Sequence, residues 1–190
     1  MSRFIEPYNP IWKIEFENIK QVIETGLSDL SLQSDIQHVG STSIPGLFAK
    51  PILDIDIIIN KKNLIRDITL RLEKIGYKTK GVQGISGRFA FRQKSLFTPL
   101  TATKEKWQSH HLYVCYSDSL ALKNHILFRD TLRKDKDLLE KYSELKKYLT
   151  YNLKITREEY TTKKTGFIIS VLTKAGLNEK ELAEIANANI

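Results

Sequence analysis

Apolar residues recur near the start of the chain at the three-and-four spacing of a helix buried along one side. Ile11, Trp12, Ile14, Phe16, Ile19, Val22 and Ile23 form this stripe, opened by Asn9-Pro10 as a cap with proline at the first helical position and running to about Ser28. The period then changes. Asp35 to Val39 reads as a short strand, and from Ile52 to Ile59 every residue is apolar except Asp54 and Asp56. Asn63 to Ile75 returns to helical spacing and is closed by Gly76; Tyr77 to Lys80 and Arg88 to Gln93 are the next strands. The loop between them, Gly81 to Gly87, reads as a hairpin connection rather than a phosphate cradle, because no helix follows it. His110 to Tyr116 is a further strand, with Leu112 and Val114 on one face and His111, Tyr113 and Cys115 on the other. From Ser117 or Asp118 onward the chain is helical in three or four segments, with breaks near Asp135, Asn152 and Gly176. The expected class is α+β: a mixed sheet with packed helices and a helical C-terminal region. No linker divides residues 1–190, so one domain is expected, with a sheet-containing core over about 1–117 and a helical part over 118–190.

Two carboxylates in an otherwise apolar strand need an explanation. Side chains alternate across a strand, so Asp54 and Asp56 share a face. Buried without a partner, two like charges this close would force one to take up a proton; a shared divalent cation with oxygen preference, Mg²⁺ first, removes that cost. The alternative is a wet strand face whose acids are solvated or paired with lysines.

Upstream, the strand Asp35–Val39 runs into Gly40-Ser41. Glycine there lets the backbone approach a ligand closely, and Ser41, Thr42 and Ser43 offer hydroxyls and N–H groups suited to phosphate oxygens. Pro45 and Gly46 limit any helix to a turn or two, and Lys50-Pro51 returns the chain to the aspartate strand with a cation close by.

Val39-Gly40-Ser41, a spacer, and Asp54-Ile55-Asp56-Ile57 resemble the signature of the nucleotidyltransferase superfamily related to DNA polymerase β. The longer string from His38 to Asp56 is similar to the GrpB family, a branch of that superfamily, as are His111-Leu-Tyr-Val114, Phe128-Arg-Asp-Thr-Leu-Arg133 and Tyr142-Ser-Glu-Leu-Lys146; together they span about Tyr8 to Ala175. The resemblance implies a nucleotidyltransferase-like sheet and Mg²⁺ or Mn²⁺ held by Asp54 and Asp56. It implies transfer of a nucleoside monophosphate from a nucleoside triphosphate to a small-molecule acceptor. A non-catalytic nucleotide-binding or regulatory module is the alternative, because the third acid usual in the superfamily is missing: between Tyr77 and Tyr116 the sole acidic residue is Glu105, in an irregular stretch. His111 is the substitute, as metal ligand or base. Where the family has a second histidine this chain has Tyr113.

Candidate phosphate contacts are Gly40, Ser41, Thr42, Lys50, Arg88 and Arg92, the two arginines sharing a face by strand alternation, and Arg129, in a second cationic pair with Arg133. Each arginine has a surface ion pair as its alternative, and His111 has a backbone carbonyl. The stretch Leu96 to Ser109 is either a lid or a surface loop.

Composition adds bounds. The chain is 41% hydrophobic and 27% charged, ordinary for a globular protein. No apolar run approaches the roughly 20 residues a membrane span requires, and Met-Ser-Arg-Phe-Ile-Glu lacks a signal-peptide core, so no membrane partner and a cytoplasmic location are the default expectations. Cys115, a lone cysteine, reads as a packed thiol. The net charge of +8 draws much of its excess from Lys134 to Lys164, where lysines alternate with glutamates and leucines; this reads as a solvated helix face rather than a nucleic-acid groove.

Overall fold

The computed structural model describes residues 4–30, 35–152 and 154–188. Helix α1 spans Ile11–Leu27, with the Asn9 side chain accepting from the Ile11 amide at 3.0 Å. It leads to β1 (Asp35–Val39), a 3-10 turn at Ser41–Ser43, β2 (Leu53–Ile59), α2 (Ile65–Lys74), β3 (Tyr77–Gly81), β4 (Arg88–Gln93) and β5 (His110–Tyr116). Four helices follow: α3 (Leu120–Lys134), α4 (Lys136–Tyr151), α5 (Arg157–Lys174) and α6 (Glu179–Ala188). None of the described helices is long and apolar enough to cross a membrane.

The sheet order is β1-β2-β5-β4-β3. Only β2 and β5 pair in parallel, so the sheet is mixed. Alternation on β2 sends Leu53, Ile55, Ile57 and Ile59 to one face, where they pack with Trp12, Phe16, Ile19 and Ile23 of α1 and Ile68 and Leu72 of α2. The opposite face carries Asp54 and Asp56 and is partly covered by α3. A second apolar cluster joins Ile44 and Leu47, after the 3-10 turn, to Leu132, Tyr142 and Val171, fixing the C-terminal helices over the turn.

Two expectations are corrected here. The buried stripe of α1 is Trp12, Phe16, Ile19, Ile23 and Leu27; Ile11 and Ile14 point to solvent, because one face of a straight helix is too narrow to bury every member of the wider set. The stretch from Leu96 to Ser109 is not a free-standing loop: the Leu100 amide donates to Ile75 O, the Thr98 hydroxyl to Gly76 O, and the buried Trp107 indole to Pro99 O, which fastens the segment against the end of α2.

Candidate functional site

The site grows from the register of three strands. Asp54 lies opposite Val39 on β1 and His111 on β5; Asp56 lies opposite Gln37 and Tyr113. Directly paired positions share a face, so the two aspartates, His111 and Tyr113 form one polar surface, and β4 extends it with Arg88 and Arg92, the latter opposite His111. Asp56 is fully buried, whereas the Asp54 side chain keeps 31% of its exposure.

The turn after β1 closes one edge. Gly40 has φ +68°, and a Cβ there would strike the Asp54 carboxylate, so only glycine permits this approach. The Ser43 hydroxyl donates back to Gly40 O at 2.6 Å. Ser41 faces α4: Lys146 Nζ donates to its Oγ at 2.5 Å and to Phe48 O at 3.0 Å, and lies 4.9 Å from the Tyr142 ring centre. Desolvation, with the neighbouring charges of Lys164 and Lys50, lowers the Lys146 pKa to about 7, against the pull of Asp54. Lys164 is lowered as well, again by desolvation and by Lys50. Lys146 therefore sits on the Gly-Ser turn with the charges of Lys164 and Lys50 near enough to depress its own, a repulsion that an anion would relieve.

Each aspartate carries a histidine. His111 Nδ1 donates to Asp54 Oδ1 at 3.0 Å, in a pair open to solvent; this hydrogen bond is the main reason the His111 pKa is raised. His125 Nδ1, from α3, donates to Asp56 Oδ2 at 2.7 Å. Burial opposes charge on His125, but the charge and hydrogen bond of Asp56 outweigh it and raise the pKa. Nothing singled out His125 in the sequence. The available signal was a row of residues four apart on α3: His125, Arg129 and Arg133 all turn inward. Arg129 Nη1 donates to Gln37 Oε1 at 2.9 Å and to His38 O at 3.0 Å, and Arg133 Nη2 donates to Ser43 O at 2.7 Å.

The expected residues thus divide. Asp54, Asp56, His111, Gly40 and Ser41 come together, with Arg88 and Arg92 on the same face and Lys50 electrostatically coupled to Lys146 and Lys164. The Thr42 side chain turns away: it is buried, donates to Ile52 O and accepts from His38 Nε2, which makes its hydroxyl a brace for β1. Arg129 is buried, with Nε on Asp130 and Nη1 on β1, so its donors hold the sheet edge. The lysine-rich stretch from Lys134 to Lys164 is not solvated throughout, since Lys146 is drawn onto Ser41. His110 is structural: its Nδ1 donates to Gln108 O, its Nε2 accepts from the Tyr77 hydroxyl, and burial drops its pKa to about 4.

A divalent cation suits this donor set. Asp56 Oδ1 is buried with no hydrogen-bond partner, an orphaned lone pair that a buried carboxylate rarely keeps without reason, and Asp54 presents a second carboxylate on the same face. The ligand atoms of Asp56, His125 and Cys115 also lie within 4.8 Å of one another. Burial holds the Cys115 thiol protonated, far above its ordinary pKa, so oxygen and imidazole are the effective donors.

Comparison with known proteins gives a consistent answer. The family model described as GrpB protein matches residues 3–174. The glutamate-rich protein GrpB of Alkalihalophilus pseudofirmus is 30% identical over 164 residues, covering 86% of this chain and 90% of that protein. YqkA of Bacillus subtilis is 30% identical over 142 residues, covering 75% of this chain but only 38% of its own length, so the match spans well under half of that relative. The crystal structure of the conserved protein GrpB from Enterococcus faecalis superposes with a TM-score of 0.73 at 28% identity, covering 90% of this chain and 96% of that one. A mutant Cid1 poly(U) polymerase bound to MgATP superposes with a TM-score of 0.56 at 12% identity, covering 86% of this chain and 50% of that one, a likeness of fold. With a nucleotidyltransferase-like sheet and a family match over nearly its whole length, the chain belongs to the GrpB family.

Proposed function

We propose that this protein binds a nucleoside triphosphate with a divalent cation, Mg²⁺ or Mn²⁺, and transfers its nucleoside monophosphate to a small-molecule hydroxyl. The observation that carries this reading is the facing of two elements. A glycine-permitted turn with Lys146 on its serine hydroxyl abuts a strand whose two carboxylates include an unpartnered, buried oxygen. The fold shared with a Cid1 polymerase bound to MgATP supports it.

Asp54 and Asp56 would hold the cation, which when bound supplies charge neutralisation and polarises the phosphate. Ser41, Lys146, Lys164 and Lys50 take the β- and γ-phosphates; Lys146 and Lys164, lowered by desolvation in the free protein, gain full charge as the anion enters. In the transfer, an acceptor oxygen bonds to the α-phosphorus and the bond from that phosphorus to the bridging oxygen breaks. Pyrophosphate leaves, and the hydroxyl proton passes to an imidazole. His111 is the exposed one of the two, held by Asp54 through Nδ1 so that Nε2 is left to receive it.

A binding-only reading is favoured by one feature: the β5 positions facing the aspartates are His111 and Tyr113, neither an acid. One experiment separates the two. Incubation with Mg²⁺ or Mn²⁺, each of the four triphosphates and a pool of small metabolites yields pyrophosphate if the protein is a transferase. A rise in melting temperature with triphosphate and metal, but no pyrophosphate with any acceptor, marks a binding module. No rise with any triphosphate removes both readings.

A further inference from the structure

One opening, reached through the histidine that bonds Asp56, lies away from the phosphate side. A cavity of about 530 Å³ lies between the β3–β4 loop, the first turns of α3, and α6, and both Arg88 and His125 line it. This is a small-ligand volume, within the range of roughly 300–1,000 Å³ usual for such sites.

Its position relative to the chemistry is informative. The lysines and the Gly-Ser turn occupy the β1 flank of the aspartates, whereas the cavity opens on the β4–β5 flank, where Arg88 stacks over Tyr113 at 4.6 Å and His125 bonds Asp56. In a nucleotidyl transfer the attacking oxygen and the departing pyrophosphate lie roughly in line on opposite sides of the α-phosphorus. With the leaving group on the β1 flank, the acceptor must enter from the β4–β5 flank.

The lining says what kind of acceptor. Arg88 lines the cavity, and its buried Nε has no hydrogen-bond partner in the fold, so the guanidinium is not fully engaged by the protein itself. Lys180 adds a second cation against the single carboxylate of Glu184, and Asn124 offers an amide beside His125. Ile85 and Ile185 supply an apolar wall.

Resting on the nucleotidyl-transfer reading above, we propose that this cavity is the acceptor site and that it takes a small hydroxylated molecule bearing an anionic group, carboxylate or phosphate, held by Arg88. The nucleoside portion of the triphosphate lies elsewhere.

The test uses the whole chain with Mg²⁺ and a non-hydrolysable triphosphate, and glycerate, glycerol 3-phosphate and uncharged glycerol as probes. Amide shifts in a nitrogen–proton correlation spectrum are followed at Ile85 and Asn124. At least one of the two anions saturates these shifts and glycerol does not; which anion binds more tightly distinguishes a carboxylate from a phosphate acceptor. Arg88→Met weakens that anion about tenfold or more, the scale of a lost charged hydrogen bond, and Arg88→Lys recovers part of it. Ala183→Trp, on the exposed rim of α6, blocks the anion and leaves the triphosphate-induced rise in melting temperature unchanged.

Failure of both anions to saturate in the wild type overturns the proposal. So does loss of the triphosphate effect in a normally folded Ala183→Trp protein, which would put the nucleoside in this cavity. Saturable anion binding without any triphosphate effect in the wild type overturns the nucleotide reading and with it the acceptor role, and is recognised because the anion site itself survives.

Discussion

On β2, Leu53, Ile55, Ile57 and Ile59 turn to one face of the sheet and Asp54 and Asp56 to the other, and the surroundings of the two sets differ in kind. The first set is sealed by α1 and α2 and satisfied entirely by apolar contact. The second set and its neighbours remain electrically unbalanced: Asp56 keeps an orphaned carboxylate oxygen, Arg88 an orphaned guanidinium nitrogen, and the Lys146 pKa is pushed down to about 7. One face lowers the free energy of the fold. The other stores unfavourable electrostatics that a ligand relieves, which is the usual signature of a functional surface.

Substitutions on the two faces should therefore separate stability from binding. Ile57→Ala, at a side chain with no exposure on the sealed face, is expected to cost ~2–5 kcal/mol in urea unfolding, with triphosphate affinity within a few-fold wherever the protein is folded. A large loss of affinity at constant fold would show that the faces are coupled. Asp54→Asn, on the open face, should behave in the opposite sense. Apo stability shifts by under ~1 kcal/mol, but the ~2.7 kcal/mol of stabilisation given by triphosphate and metal at about 100 times the dissociation constant disappears from the melting curve.

Lys146→Met sharpens the electrostatic side of the contrast. At pH 7 it should weaken triphosphate binding about tenfold, the order of one charged hydrogen bond. In the wild type the free lysine loses its proton as pH rises through about 7, whereas the bound triphosphate keeps it charged, so binding takes up a proton above that pH. Affinity measured calorimetrically should fall between pH 6 and pH 8.5, and this component of the slope should vanish in Lys146→Met. An unchanged slope would place the titration elsewhere.

The smallest effect expected is the pH dependence of Asp56→Asn. His125 has a raised pKa in the fold, so the stabilisation it draws from Asp56 is fully present below its ordinary value near 6.5 and is lost as pH rises through the raised value. The variant should accordingly be destabilised more at pH 6 than at pH 9, by about 1 kcal/mol, when urea midpoints are compared. Equal losses at both pH values would mean that the pair contributes no charge-dependent stability.

The sheet was legible because its strands carry strong period-two patterns, and the aspartates because they interrupt an apolar run at alternate positions. Gly40 and Ser41 followed from their spacing to that run. What escaped notice came from the helical part. His125 and Lys146 reach the site only through the tertiary placement of α3 and α4, and in sequence each looks like one more polar residue on an amphipathic helix. The Thr42 hydroxyl departs from the expected direction for a local reason. In a three-residue 3-10 turn neighbouring side chains point in different directions, so Ser41 faces Lys146 while Thr42 turns toward His38. Arg129 matched the family string but serves the sheet edge, showing that a matching string marks a position worth keeping without saying what it is for.

The row of three inward residues on α3 has a dynamic consequence. His125 fastens the aspartate strand, Arg129 the edge strand, and Arg133 the turn through the Ser43 carbonyl. The proposed cation-binding and phosphate-binding elements are thus clasped by one helix and are expected to open together. Amide hydrogen exchange would then find Gly40, Ser43 and the central residues of β2 in one cooperative class with α3, so the site is gained or lost as a unit.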